Sequence, residues 1–575
     1  MAIDFNIMAG GEAGQGVQSV GAILARTMSN GGLNVFADQD YESRVRGGHN
    51  FFRIRISDKD ILSFSRKLDI LVALNRETID LHSGELKSNG VIIYDQEQTK
   101  FDGQGKIYFN VPLEKLAEEK VKNKLMANTV AVGAAIGLCG YDFDSLASVL
   151  RKEFIRHGEK IVEDNVIAAK VGFDFAIEYG SNKTPHKIKP VADAKKRMLL
   201  HGNEALALGA MVGGCKFFAG YPMTPATSIM EYLADKGRKH NVVTVHVEDE
   251  IAAMNMAVGA AYAGVRAMVA TSGGGFSLMV EGLALAGMTE TPIVIVLAQR
   301  PGPATGLPTR TEQGELWFAL HAGHGEFPRA ILAPATVEEA FHSIIKAFNL
   351  AEKYQTPVFV LTDHHLATSY TTVERFDLSQ VKIDRGDLLS DEEAENLTDY
   401  KRHLVTDSGI SPRALPGQGK ALVVTDSDEH DEAGHMIEDG ETRNQQNIKR
   451  LRKQDTLSKE IGAPRFHKVP DAKYTLVGWG STYGAIKEAS DALNSDGIPI
   501  NVLHLSEIWP FPAEAVASIL NDGTKNITVE GNATGQMAKL IRRETGHEVS
   551  GNILKFDGRP LSAEEIVARF KKEGF

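Results

Sequence analysis

Short apolar runs, each about the length of one strand, alternate with helical patterns along most of this chain. That alternation limits its fold more than any other feature. In a first block, from Ala2 to about Pro185, the runs are Asp4–Ala9, Val35–Ala37, Phe51–Ile56, Ile70–Leu74, Val91–Tyr94 and Ile107–Val111. An amphipathic helix is expected from Val17 to about Ser29, with further helical patterns at Thr129–Leu138 and Leu146–Glu153. A second block, Arg197 to about Ser369, repeats the scheme with Cys215–Ala219, Val243–His246, Ala267–Ala270, Ile293–Ala298, Arg329–Leu332 and Val358–Thr362. Strands alternating with helices specify a multidomain α/β protein whose first domain is doubly wound. Gly180 to Ala194, rich in Lys, Pro, Ser and Asn, reads as a linker. The stretch from about Tyr370 to Ala472 is irregular, charged and poor in strands, and a last small α/β block runs from Tyr474 to Phe575. The expected domains are 1–185, 195–370 and 473–575, with 371–472 as an irregular connecting segment.

Composition removes several classes of function. A net charge of −12 without an offsetting basic block argues against a nucleic-acid surface. The longest basic cluster, Lys449-Arg450-Leu451-Arg452-Lys453, reads as a solvated helix face or a subunit contact. The acidic run Asp426–Glu432 reads as a solvated loop, since its spacing does not fit an EF-hand calcium loop. No apolar run reaches the roughly eighteen residues of a membrane span. Met1-Ala2-Ile3-Asp4 leads directly into a strand and leaves no room for a signal peptide, so a cytoplasmic location is expected. The two cysteines, Cys139 and Cys215, sit in apolar, glycine-rich surroundings and read as core residues. Two thiols cannot ligate a four-cysteine cluster, so any iron–sulfur centre must sit on another chain.

Two regions carry chemistry. Near the start, a strand runs into Gly10-Gly11-Glu12-Ala13-Gly14-Gln15-Gly16 and then a helix, which can aim backbone N–H groups and the helix dipole at an anion. The spacing Gly11, Gly14, Gly16 is neither the dinucleotide fingerprint nor a P-loop, so a tight packing turn is an equal reading of the spacing by itself. The run Arg44-Val45-Arg46-Gly47-Gly48-His49 adds two cations and a flexible backbone, and favours an anionic or phosphorylated ligand. In the second block, Gly220-Tyr221-Pro222-Met223-Thr224-Pro225 puts a hydroxyl on a stiff turn after a strand. Glu250 opens an alanine-rich helix after Val243–Val247, Ser272-Gly273-Gly274-Gly275 follows a third strand, and Arg300 stands at the exit of Ile293–Ala298. A hydroxyl, a carboxylate and a guanidinium at strand ends of one α/β unit suit a small anionic substrate. Acids at a helix start also favour the macrodipole, and Arg310 can equally pair with Glu312 or Glu315.

These motifs resemble the alpha subunits of the 2-oxoacid:ferredoxin (acceptor) oxidoreductases, which use thiamine diphosphate. The resemblance spans nearly the whole chain as a gamma–alpha fusion. It implies a gamma-type domain that docks coenzyme A through Gly11, Gly14, Gln15, Gly16, Arg44, Arg46, Gly47 and Gly48. A pyrimidine-type domain and a transketolase C-terminal-like domain follow, the latter marked by Val529-Glu530-Gly531-Asn532-Ala533-Thr534-Gly535-Gln536. By position Glu250 matches the glutamate that activates the aminopyrimidine, with Glu248 second in line. Thr224 matches the family threonine with Met223 in place of Ile, and Arg300 matches the arginine that holds the substrate carboxylate. Tyr221, Pro222 and Arg310 are expected to line the substrate, and Ser272, Gly273 and Gly274 the cofactor. Neither a Gly-Asp-Gly nor an Asn-Asn-type ligand pair for Mg²⁺ occurs. The resemblance therefore implies half a site, completed by a beta subunit that carries Mg²⁺, the diphosphate end and a [4Fe–4S] cluster. The expected assembly is a dimer of alpha–beta heterodimers that reduces ferredoxin, with this chain inactive alone. Glu429-His430-Asp431-Glu432-Ala433-Gly434-His435 looks like the 2-oxoglutarate type. Pyruvate or a branched-chain oxoacid as substrate, or a noncatalytic nucleotide-binding regulator, are the alternatives.

Overall fold

The computed structural model describes every residue except 1–2, 44–46, 181–182, 184–186, 192–193 and 575. The chain divides into two compact units: residues 1–200 with 368–376 and 562–564, and residues 201–367 with 377–561 and 565–575.

The first unit is built on an eight-stranded sheet. Its strand Asp4–Glu12 pairs in parallel with Leu68–Ala73 and antiparallel with His49–Ser57. Leu86–Tyr94 and Tyr108–Asn110 extend the parallel side, and Asn34–Asp40 the antiparallel side. Alternation along these strands sorts side chains to two faces. Ile7, Ile70, Val72, Val91 and Ile93 join the larger cluster with helices Val17–Asn30 and Ala127–Leu138. Met8, Leu71, Ala73, Ile92 and Tyr94 meet Ile79 of helix Arg76–His82 on the other.

The second unit holds two sheets. In the seven-stranded one, Cys215–Gly220, Val243–His246, Arg266–Thr271, Ile293–Gln299, Ala330–Leu332 and Pro357–Asp363 are all parallel. Nearly every residue of the central strands is buried, as a parallel sheet covered on both faces requires. The outermost strand is Glu507–Trp509, which comes from the last block and pairs antiparallel with Ala330–Leu332. The five-stranded sheet is Arg465–His467, Ile500–Leu505, Tyr474–Trp479, Lys525–Glu530 and Gly551–Leu554. One hydrophobic cluster runs through both sheets, from Val269, Ile295 and Phe359 to Val477, Trp479, Leu503 and Leu540.

The connecting segment corrects a sequence expectation. Lys449, Arg450 and Lys453 lie on helix Gly440–Leu457 and are buried, not solvated. Lys449 Nζ is 2.5 Å from Glu290 Oε1, Lys453 pairs with the same carboxylate, and His403 Nδ1 lies 3.1 Å from it. Arg450 forks onto Glu429, with both N···O distances 2.8 Å. Glu352 is a second anchor, taking Arg266 at 2.9 Å and, from the connecting segment, Arg385 at 2.6 Å and Arg413 at 3.1 Å. The cause is electrostatic: buried carboxylates demand cations, and a segment poor in apolar residues docks by supplying them. Burial lowers Lys449 to about 7 even so, against the pull of Glu290. The acidic run is likewise engaged, Glu429 by Arg450 and Arg443 and Glu432 by Lys401.

Candidate active site

Parallel register brings the ends of four neighbouring strands to one edge of the seven-stranded sheet. Gly220 lies opposite His246, Ala219 opposite Val269, and Thr271 opposite Leu297. The turn 221–226, Glu250, Ser272 and Arg300 each follow one of these strands. They therefore share the carboxyl-end edge, where open α/β sheets bind ligands.

The turn is pinned from below. Asn203, fully buried at the start of helix Gly202–Val212, donates Nδ2 to Pro225 O at 2.7 Å and to Ser228 Oγ at 2.9 Å. Tyr221 is exposed and tilts towards His246, with ring centroids 6.2 Å apart. Arg300, mostly buried, donates Nη1 to Thr224 O at 2.7 Å, so the two residues matched to substrate binding are held together. Burial lowers the Arg300 guanidinium, and Glu315 acts to raise it.

Glu250 begins helix Glu250–Tyr262, which Asp249 caps by accepting Ala252 N at 2.8 Å. The capping role thus falls to Asp249, and Glu250 is left 3% exposed with Oε1 buried and without a hydrogen-bond partner. Burial raises its pKa, and the Asp249 charge adds to this. Glu315, half-buried as a residue, is a second carboxyl with a buried oxygen. Its backbone N–H donates to Gln299 Oε1 at 3.0 Å, its Oε2 is buried and unpartnered, and burial pushes it up to about 8 despite Arg300. The buried Ser272 Oγ also lacks a partner. The glycines after Ser272 make room for these acids. A Cβ on Gly275 would stand 2.5 Å from Glu250 Oε1, and one on Gly273 only 1.5 Å from Glu315 Oε1. Gly274 meets no such obstacle, its nearest neighbours being Ala304 O and Met223 Sδ.

Arg310 sits where a Cβ on Gly558 would come within 3.0 Å of it, donates Nη1 to Thr309 O at 3.2 Å, and its charge adds to the burial that lowers His364. Thr309 and Pro222 are each largely covered. Sequence reasoning passed over Asn203 and Gln299, and took Glu315 only as a partner for Arg310. Nothing in their local sequence marks them, because each acts through a strand end distant in the chain.

In the first unit the glycine turn closes on itself. Glu12 N donates to Gln15 Oε1 at 2.7 Å, and Gln15 Nε2 donates to Leu74 O at 3.3 Å, so the Gln15 amide ties the turn to the end of the neighbouring strand. Gly16 caps helix Val17–Asn30 at φ +75° with Asn128 packed over it, whereas a side chain on Gly14 would meet nothing. Gly47 and Gly48 both have positive φ, and Gly48 faces Glu42. Arg44 and Arg46 lie outside the described residues. Beside the turn, His49 Nε2 is 2.9 Å from His82 Nε2, whose Nδ1 is 3.1 Å from Glu85. Among the described residues no group of three or more His, Cys, Asp or Glu could hold a metal ion, and no helix is long and apolar enough to cross a membrane.

Known proteins resemble this chain over nearly its whole length. Three family models match in sequence. Residues 6–175 match "Pyruvate ferredoxin/flavodoxin oxidoreductase" and residues 208–449 match "Pyruvate flavodoxin/ferredoxin oxidoreductase, thiamine diP-bdg". Residues 472–566 match "Pyruvate:ferredoxin oxidoreductase core domain II". The 2-oxoacid:ferredoxin oxidoreductase subunit alpha of a Sulfolobus species is 35% identical, with 97% of this chain and 95% of the relative covered. The 2-oxoglutarate oxidoreductase subunit KorA of Mycobacterium tuberculosis is 30% identical, covering 97% and 89%. A solved 2-oxoglutarate:ferredoxin oxidoreductase from Magnetococcus marinus, with 2-oxoglutarate, coenzyme A and succinyl-CoA bound, superposes with TM-score 0.92 at 32% identity over 99% of each chain. The chain belongs to the alpha subunits of the 2-oxoacid:ferredoxin oxidoreductases.

Proposed function

We propose that this chain supplies the pyrimidine half of a thiamine diphosphate site in an enzyme that converts 2-oxoglutarate and coenzyme A to succinyl-CoA and CO₂. Two electrons per turnover pass to ferredoxin. The observation that carries the reading is a pair of acids each with a buried, unpartnered oxygen, Glu250 at a strand-to-helix junction and Glu315 bonded through its N–H to Gln299, the neighbour of Arg300. An orphaned, raised carboxyl at Glu250 fits the ring nitrogen of an aminopyrimidine, which needs a proton-exchanging acid in a dry pocket. Ser272 Oγ and the open space beside Gly274 suit the same ring. Bound thiamine diphosphate supplies a carbon nucleophile for the keto group and a sink for the electron pair left as CO₂ departs.

This chain's residues do the rest. Glu250 moves a proton at its Oε1. Arg300 presents its fork to the substrate carboxylate while Nη1 stays on Thr224 O, and the Thr224 hydroxyl is assigned to the same anion. The beta subunit carries Mg²⁺, the diphosphate end and a [4Fe–4S] cluster, in a dimer of alpha–beta heterodimers located in the cytoplasm. Coenzyme A docks on the turn of Gly14 and Gly16 and on Gly47 and Gly48, with Arg44 and Arg46. The choice of 2-oxoglutarate rests on the Magnetococcus marinus structure, with its bound 2-oxoglutarate, and on the M. tuberculosis subunit. Coenzyme A-dependent ferredoxin reduction with a panel of 2-oxoacids, on the complex and on the chain alone, tests the proposal. Turnover is expected from the complex and highest with 2-oxoglutarate. Turnover or stoichiometric iron in the isolated chain would overturn the split site.

A further inference from the structure

The turn Glu530–Gln536, with no assigned task in sequence, is a socket for the loop that delivers Glu315. Gln313 N donates to Gly531 O at 2.6 Å, and Gly531 N returns a bond to Gln313 Oε1 at 2.9 Å. Gln313 Nε2 reaches Trp479 O at 2.9 Å, and Asn532 Nδ2 reaches Gln313 O at 3.2 Å. Gln536 grips both sides of Glu315: its Nε2 donates to Gly314 O at 2.7 Å, and its Oε1 accepts Trp317 N at 3.1 Å.

Behind this grip the socket is rigid. Glu530 is fully buried and accepts from Met537 N and Asn532 Nδ2, both at 2.8 Å, from Ala538 N at 3.1 Å and from Trp479 Nε1 at 3.3 Å. Asn532 Oδ1 collects Thr534 N, Gly535 N and Gln536 N. Four donors converging on one buried carboxyl, whose pKa burial raises against their pull, hold its geometry tightly.

We propose that Gln313 and Gln536 are positioning residues for substrate recognition. By fixing residues 313–317 on the five-stranded sheet, they hold the Glu315 carboxyl against Gly273 and its backbone N–H on Gln299, next to Arg300. Glu315 N donates to Gln299 Oε1 at 3.0 Å, one residue before Arg300, so the loop braces the strand exit that carries the guanidinium. Where residues 313–317 stand therefore decides how the Arg300 fork is presented to the oxoacid. This inference rests on the proposed function, because it needs Arg300 to bind the oxoacid.

The test is steady-state kinetics of the complex carrying Gln536→Met, which removes both bonds at a half-buried position, with the exposed Lys539→Met on the same helix as control. The KM for the 2-oxoacid is expected to rise about tenfold with kcat changed less than about twofold, the pattern of lost binding without lost chemistry. The KM for coenzyme A and the thermal midpoint should stay as in the wild type. Gln536→Glu keeps the acceptor for Trp317 N and loses only the donor to Gly314 O, so it should rise less. It also stands in if Gln536→Met fails to assemble. An unchanged oxoacid KM in a normally folded variant overturns the inference, as does a joint fall of kcat, both affinities and thermal midpoint. A wild-type complex without 2-oxoacid turnover would instead overturn the functional reading.

Discussion

Glu290 and Glu250 are the same side chain, 1% and 3% exposed, and their surroundings push them in opposite directions. Burial would raise both, but at Glu290 the ammonium groups of Lys449 and Lys453, with His403, outweigh it and hold the carboxyl well below its usual range. Among the described residues no cation pairs with Glu250, nor does Arg300 offset the burial of Glu315, so both rise. A buried acid supplied with cations from a distant segment anchors that segment. One left with an open oxygen at a strand edge is poised to exchange a proton with a ligand.

The sharpest way to break this contrast is Glu290→Gln, which strands two buried ammonium groups. Loss of one partner from a buried ion cluster costs about 3–5 kcal/mol, to be read as a lower denaturant midpoint. Stability unchanged within error would mean the cluster is not an anchor. Glu250→Gln should do the reverse, sparing stability while lowering oxoacid turnover at least about a hundredfold, the scale of a lost acid–base group. Exchange of the cofactor's C2 proton, followed by NMR on the complex, is its direct readout, and wild-type exchange would move the role to Glu248 or to another chain. Arg300→Lys keeps charge and loses the planar fork, so kcat/KM for the oxoacid should fall about ten- to a hundredfold while coenzyme A use holds. A larger defect in Arg310→Lys would reassign the carboxylate to that residue. The smallest effect concerns pH. Glu315 is raised from 4.5 to about 8, so the fold favours its neutral form. Its contribution to stability is whole below about pH 4.5 and is lost as pH rises through about 8. Glu315→Gln should flatten that decline in midpoints measured between pH 5 and 8.5, and an unaltered slope would place the neutral acid elsewhere.

The contrast also marks what sequence could reveal. The strands of both α/β blocks were legible because burial on both faces writes continuous apolar runs, such as Ile293–Gln299. Of the three successive acids Glu248, Asp249 and Glu250, only the family resemblance singles out Glu250, since a helix start accounts for any of them. The anchoring of Lys449 and Lys453 was not legible, since a cation on a helix reads as solvated until its partner, Glu290, is known to be buried. The spacing of Gln446, Lys449, Lys453 and Leu457 is that of a buried face, but with polar groups where apolar ones are expected. The antiparallel addition of Glu507–Trp509 was equally hidden, because three residues of strand carry too little pattern. The grip on Gln313 escaped notice for another reason, being made mostly by main-chain groups.

That three-residue strand has a consequence for how the protein comes into being. Ala330–Leu332 pairs on one side with Pro357–Asp363, and its other side is closed only by residues some 180 positions later in the chain. During synthesis the large parallel sheet therefore carries an open, wholly apolar edge until nearly the last block has emerged, and such edges recruit other chains. A protein shortened before Glu507 would keep Glu250, Glu315 and Arg300 and still be expected to aggregate.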